Sequence, residues 1–260
     1  MKELGILLAL VLAAGAALAQ PLAAPAPVLA YRVVAQYPHD PQAFTEGLAY
    51  AGGKLYESTG LIGQSSVRIV DPQTGKLLDH TELSEPFFGE GLCWVGKHLV
   101  QLTWRSQIGF VYDGALHFVR SFRFKGEGWG LTYDGHTLIE SDGSSTLHRW
   151  SAEDYAPLGD IAVRDGGQPV ERLNELEYAD GRIYANVWMT DDIAVIDPAS
   201  GQVQRWIDLS PLRRRFTPPA DWNPRDNVPN GIAWNPQNHH LYVTGKRWPL
   251  LFELQLEPAR

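Results

Sequence analysis

Two glutamates, Glu46 in Phe-Thr-Glu-Gly-Leu and Glu90 in Phe-Gly-Glu-Gly-Leu, stand at the same place in two copies of one short phrase. The phrase returns as Gly-Trp-Gly-Leu at 128–131, Leu-Asn-Glu-Leu at 173–176 and Pro-Asn-Gly-Ile at 229–232, which adds Asn174, Glu175 and Asn230 to the set. A carboxyl group at the inner edge of a packed sheet is partly desolvated, and its raised pKa suits it to proton transfer. The competing role is structural: such acids would accept backbone N–H groups from the neighbouring sheet and pin the two together. Lys246, in Thr-Gly-Lys-Arg-Trp after the last copy, is the one basic residue placed like the acids. It could balance a carboxylate, polarise a carbonyl, or simply face solvent. Trp104, Trp129, Trp188 and Trp248 lie in or just after a phrase or its second strand, hence toward one mouth. Aromatic walls there suit an apolar or amide-bearing ligand. Trp94, Trp150 and Trp234 are expected to pack between sheets.

The elements that position these residues follow from the repeat. Its Leu or Ile falls at 48, 92, 131, 176 and 232, a spacing of 39 to 56 residues. That period belongs to propeller blades, each a small antiparallel sheet that must stack on its neighbours to bury its faces. Ala-Asp-Gly at 179–181, Asp-Pro-Gln-Thr-Gly at 71–75 and Asp-Pro-Ala-Ser-Gly at 197–201 supply the turns between short strands rich in β-branched and aromatic residues. The expected fold is all-β, a five-bladed β-propeller of four-stranded antiparallel blades. Closure requires the strand at Tyr31 to Ala35 to pair with the last blade near Leu251 to Leu256, which would hide both sheet edges. The wide last interval is accounted for by an insertion over Asp208 to Val228, read as a lid or wall over one mouth of the channel.

Residues 1–19 combine Lys2, an apolar run from Leu4 to Leu18 and small residues at Ala17 and Ala19, the pattern of a secretory signal peptide, with an uncleaved anchor as the alternative. Residues 20–30, rich in Pro and Ala, read as a flexible lead-in, and 31–260 as a single propeller domain. The expectation is an exported protein, periplasmic or secreted, with no stable membrane insertion. A net charge of −8 argues against nucleic-acid binding, and Arg213-Arg214-Arg215 is too short for a basic face. Those arginines are expected at the end of a brief helical turn that begins at Ser210-Pro211. Cys93 is the only cysteine, so no intrachain disulfide exists, and its place in a blade strand marks it as a buried inert thiol.

Other chemistry has little support. The sequence carries no Gly-x-Ser-x-Gly elbow, phosphate loop, His-Glu-x-x-His or paired-cysteine zinc pattern. His39-Asp40 and His239-His240 fall in turn contexts, where solvated histidines are commonest. Asp142 and Asp191-Asp192 give only a weak signal for a calcium loop.

With these residues in view, the chain from about Tyr37 to Leu256 resembles the glutamine cyclotransferase family of the plant and bacterial propeller type. The resemblance rests on YPHDPQAFTEGL, LYESTGLIGQSSVRIVD, FFGEGLCW with LTW, GEGWGLTYDG with SDGSSTL, LNELEY with IYANVW, and NGIAW with LYVTGKRWP, all in order. It implies a five-bladed propeller that converts the N-terminal glutamine of peptides or proteins to pyroglutamate with release of ammonia; a one-carboxylate scheme for that reaction requires no metal or cofactor, and a monomer is expected. It assigns Glu90 as catalytic acid/base and places Lys246 and Asn174 in the pocket, where the chemistry of ring closure suits them to orient the amide or stabilise the oxyanion. Phe44, Glu46, Phe88, Trp104, Trp129 and Trp188 match positions that line the family's pocket. At Glu46 the plant form carries Gln, in FTQGL. Two other readings stay open: a metal-dependent propeller hydrolase, lactonase-like, with Glu46, Glu90 and Asn174 as ligands, and a non-catalytic exported propeller that binds peptides.

Overall fold

Blade faces are apolar on both sides, and the chain buries them pairwise. The computed structural model describes residues 24–257. Four blades are consecutive four-stranded antiparallel meanders, with innermost strands Thr45–Ala51, Gly89–Val95, Gly130–Tyr133 and Leu173–Ala179. The fifth runs from Pro229–Asn235 through His240–Gly245 and Leu250–Leu256 to Tyr31–Pro38, its outermost strand. Tyr37 pairs with Leu251 and Tyr31 with Leu256, so the ends of the propeller are tied in one sheet. The five innermost strands touch in a closed ring. Hydrophobic residues accordingly form five wedge-shaped clusters, one per blade interface, such as Leu92 and Leu99 against Tyr56 and Val67. The others join blades 2 and 3, 3 and 4, 4 and 5, and 5 and 1.

Several expectations are corrected. Tyr31–Pro38 is itself an edge, so closure ties the termini but leaves an outer strand with alternating burial. The lead-in is not free from Ala26 onward: the Ala26 N–H donates to Asp165 Oδ1 at 2.7 Å, and Leu29 and Trp206 are bonded through their backbones. The peptide groups there gain partners by extending alongside Val203–Asp208 of blade 4. The signal-peptide reading over 1–19 lies outside the described residues. Among the described residues no helix is long and apolar enough to cross a membrane. A short helix does form at Ser210–Arg213, with Pro in its first turn and Leu212 buried. Cys93 is buried, and burial pushes its thiol well up.

The repeated phrase has a specific backbone role. In blades 1, 2, 4 and 5 the register of the innermost strand slips at the phrase, for example between Thr45 and Gly47 and between Gly89 and Leu92. The extra residue of a bulge loses its partner and is re-aimed. Glu46, Glu90, Asn174 and Asn230 are the residues so released. The glycine that follows each acid makes room for the next blade: a Cβ on Gly47 would stand 2.7 Å from Leu92 N, and one on Gly91 2.5 Å from Leu131 N.

Candidate active site

Three structural slots, repeated around the ring, build one cavity. The bulge slot delivers Glu46, Glu90 and Asn174. The residue just after the second strand fills another slot, where Trp104, Trp188 and Lys246 each donate the backbone N–H to the segment before the first strand, at Phe88, Arg172 and Val228 (3.1, 2.8 and 3.0 Å). Phe44, Phe88 and Trp129 come from the residues that lead into the innermost strands. Together with Leu61 and Asp226 these residues enclose about 350 Å³. The nine residues that the family resemblance assigned to the site therefore meet in one place, drawn from every blade.

The walls are aromatic. Phe44 meets Phe88 edge-on, Phe88 meets Trp104 at 5.7 Å between ring centroids, and Trp129 meets Trp188 at 5.5 Å nearly perpendicular. Sequence reasoning missed the group that orders them. The carboxylate of Glu127 accepts both indole N–H groups through one oxygen, from Trp104 at 2.7 Å and Trp129 at 3.1 Å. Its other oxygen accepts from Arg105 Nε at 2.8 Å, and that guanidinium lies over the Trp104 ring at 3.9 Å. These bonds outweigh the cost of desolvation and hold Glu127 below its ordinary pKa. The signal was its place two residues before Trp129 in Gly-Glu-Gly-Trp. Asp226, also missed, belongs to the long insertion expected to form a wall, and it lines the mouth.

Polar groups converge at the base. Lys246 Nζ lies 2.8 and 2.7 Å from the two oxygens of Glu46, and Asn230 Nδ2 donates to Glu46 at 3.0 Å. The same ammonium stands 4.8 Å from the centre of the Phe44 ring. Burial raises Glu46 above the carboxylate range, and Lys246 offsets part of that rise. Glu90 has no such partner. The residue is 6% exposed and lines the cavity, and its carboxyl is pushed well up, first by burial and then by the charges of Glu46 and Glu127 against the opposing pull of Lys246. Asn174 is buried, with Oδ1 unpartnered. The base thus holds one carboxylate paired with an ammonium, one unpaired carboxyl whose pKa burial and its neighbours raise, and an amide with unmet capacity.

The structural role foreseen for the acids belongs to Glu175, which accepts the N–H of Leu48 at 3.1 Å and of Ile232 at 2.8 Å. Trp248 is a correction: it points away from the cavity, fully buried against Phe216 and Phe252, and donates to the Asn227 carbonyl. Two residues beyond Lys246, the turn carries it to the other side. His39 is not solvated either, being buried against Glu57, and His240 bonds Glu253 at 2.6 Å. Asp142 pairs with His148, and Asp191 with Arg213. Among the described residues no three His, Cys, Asp or Glu side chains are grouped to hold a metal.

Comparison with known proteins bears on this geometry. The family model described as glutamine cyclotransferase matches residues 6–256. The chain belongs to the glutamine cyclotransferase family. It is 45% identical over 230 residues to the glutaminyl-peptide cyclotransferase of Arabidopsis thaliana, covering 87% of this chain and 71% of that protein. The crystal structure of Myxococcus xanthus glutaminyl cyclase superposes with a TM-score of 0.81 at 38% identity, over 90% of this chain and all of the other. The family's propeller is thus the fold assembled above from its blades.

Proposed function

We propose that this cyclotransferase-family protein closes the N-terminal glutamine of peptides or proteins into pyroglutamate, with Glu90 as the group that moves the proton. One observation carries the reading: the only cavity-facing carboxyl left without a partner among the described residues stands at the base of an aromatic pocket of about 350 Å³, room enough for an N-terminal glutamine. A free α-amine with a pKa near 8 is mostly ammonium in neutral water. Desolvation in the pocket and the positive charge of Lys246 disfavour that charge, so the amine reacts in its neutral form. Its lone pair attacks the γ-carboxamide carbon, and the carbonyl oxygen becomes an oxyanion. The departing nitrogen cannot leave as an amide anion. Glu90 gives it a proton and takes one from the new ring nitrogen, so that the C–N bond breaks to release ammonia and Glu90 ends as it began.

The neighbours fit supporting roles. Asn174, with its unpartnered oxygen, orients the carboxamide by accepting its N–H. Lys246 places positive charge beside the developing oxyanion while it neutralises Glu46. The indoles of Trp104, Trp129 and Trp188 hold the folded conformer in which amine and carbonyl meet. A metal hydrolase built on Glu46, Glu90 and Asn174 fits less well, because both Glu46 oxygens already bind an ammonium. One chain supplies every wall of the cavity, which supports action as a monomer. We propose export as well: the charged start, apolar run and small residues of 1–19 support a secretory leader.

The deciding experiment incubates the purified protein with short Gln-initiated peptides, with and without chelator, and follows mass and ammonia. Loss of one ammonia that survives chelation supports the reading. Saturable binding without product would support a binding propeller, and activity abolished by chelator would support the hydrolase.

A further inference from the structure

Behind the cavity a second cluster of charges is buried where blade 5 meets blade 1. His39 Nδ1 lies 2.6 Å from the Trp248 carbonyl oxygen, and Nε2 lies 2.9 Å from Glu57 Oε1. The side chains of His39 and Glu57 are 6% and 2% exposed. Thr45 Oγ1 donates to the same Glu57 oxygen at 2.7 Å. Arg68 faces the other one at 3.5 Å and binds Asp40 at 2.6 Å. These are the charged and titratable groups that face the ring, from the 39–42 turn, the first three strands of blade 1 and the turn after His240–Gly245.

The cluster joins two pieces of the candidate site. Thr45 precedes Glu46 at the bulge, and Trp248 follows Lys246 by two residues. The turn between them is further bound by Arg247 N–H to the Ala43 carbonyl at 2.7 Å and by His39 N–H to the Pro249 carbonyl at 2.9 Å. Arg247 holds a left-handed φ of 59°, which costs a non-glycine residue energy and needs outside support. The Trp248 carbonyl can only accept, and Glu57, which accepts from Thr45, faces Arg68 and is held below its ordinary pKa, accepts as a carboxylate, so both ring nitrogens donate. Only the imidazolium has two N–H groups. Burial alone would lower the His39 pKa, but Glu57 and the Trp248 carbonyl outweigh it and raise the value.

We propose that His39, as a buried imidazolium, is a positioning residue that clasps the turn bearing Lys246 to the strand bearing Glu46. It touches no substrate and acts through the Lys246–Glu46 pair. Its catalytic consequence rests on the cyclotransferase reading, whereas the clasp does not. Loss of one donor at His39 frees the Trp248 carbonyl or leaves Glu57 to Thr45 and Arg68, and the turn relaxes.

Nitrogen-15 NMR of the His39 ring in the wild-type protein is expected to show both nitrogens protonated at neutral pH. In His39→Gln, which can keep one of the two bonds, the Arg247 amide is expected to exchange with solvent about tenfold faster, since it loses support from the clasp. With Gln-initiated peptides kcat should fall about tenfold with KM little changed, the mark of a misplaced group in the transition state. A ring with one bare nitrogen at neutral pH overturns the proposal. So does a His39→Gln protein with a lower melting temperature but unchanged Arg247 exchange and kcat. Should His39→Gln not fold, Thr45→Val removes a donor from Glu57 and carries the same two readouts. A wild-type protein that releases no ammonia defeats the cyclotransferase reading alone, and ring protonation with amide exchange still judges the clasp.

Discussion

Lys246 and Glu46 form a closed pair at the base of the cavity, the ammonium nitrogen lying 2.8 and 2.7 Å from the two carboxylate oxygens, both side chains buried. The pair leaves Glu90 as the free carboxyl of the site. Lys246→Met should therefore strand a buried carboxyl group and destabilise the protein by about 3–5 kcal/mol. The double variant Glu46→Gln with Lys246→Met should recover most of that loss. Urea denaturation of the four proteins gives the coupling, and simple additivity would show that the pair is not energetically linked.

Glu46→Gln alone should move a pH profile. The Glu46 charge helps to raise Glu90, so its removal lowers the Glu90 pKa. Glu90 must hold its proton to release ammonia, and kcat falls as pH rises through its pKa in the complex. The alkaline limb of kcat should accordingly shift to lower pH in Glu46→Gln. Lys246 can still donate to the amide oxygen, so the variant remains active. A limb at unchanged pH would mean that another group sets it.

Glu90→Gln keeps shape and burial but has no proton to exchange with the leaving nitrogen. Turnover of Gln-initiated peptides should fall by about 10²–10⁴, the usual worth of a general acid–base group. Thermal stability should hold, because Glu90 makes no side-chain hydrogen bond to lose among the described residues. A folded variant with near-native turnover would remove Glu90 from the mechanism.

What could be read in the sequence was whatever repeats. Glu46 and Glu90 share a phrase, and a phrase at blade spacing fixes both the fold and the ring of sites. The bulges were not legible, because an extra residue in a strand leaves no mark of its own in residue type. Trp248 was misplaced because proximity to Lys246 in sequence says nothing of direction across a tight turn. His39, beside Asp40 and Pro41, has the local signature of a solvated turn. Its burial is decided by Glu57 and Trp248, the latter 209 residues away. Glu127 lacks a repeat partner, and beyond its place two residues before Trp129 its role emerges when Trp104 of another blade converges on the same oxygen.

Glu127→Ala should loosen the aromatic wall. Both indole N–H groups lose their acceptor, and Arg105 loses its anchor over Trp104. Each lost charge-assisted bond is worth about 1.5–3 kcal/mol, though water can replace part of it at this half-open rim. Glu127→Gln can still accept both indoles through its carbonyl oxygen. The expected order of kcat/KM is wild type, then Glu127→Gln, then Glu127→Ala. Equal losses in the two variants would trace the effect to charge rather than to indole placement.

Glu175 provides a control for the whole assignment, since it shares the repeated phrase but has a structural job. Its two oxygens each hold one backbone N–H, from Leu48 of blade 1 and Ile232 of blade 5. An amide has one acceptor, so Glu175→Gln leaves one N–H facing an NH2 group at a cost of about 1–3 kcal/mol. The buried carboxyl also makes stability pH-dependent, although its two N–H bonds favour the charged form. Burial raises Glu175 well above 4.5 in the folded protein. Its contribution is full below the unfolded value and is lost as pH rises through the raised one. Melting temperature should decline over that range in the wild type, and less in Glu175→Gln. The kcat of the variant should remain close to wild type, because this carboxyl binds blades rather than lining the cavity. A large fall in kcat without loss of stability would place Glu175 in the reaction instead.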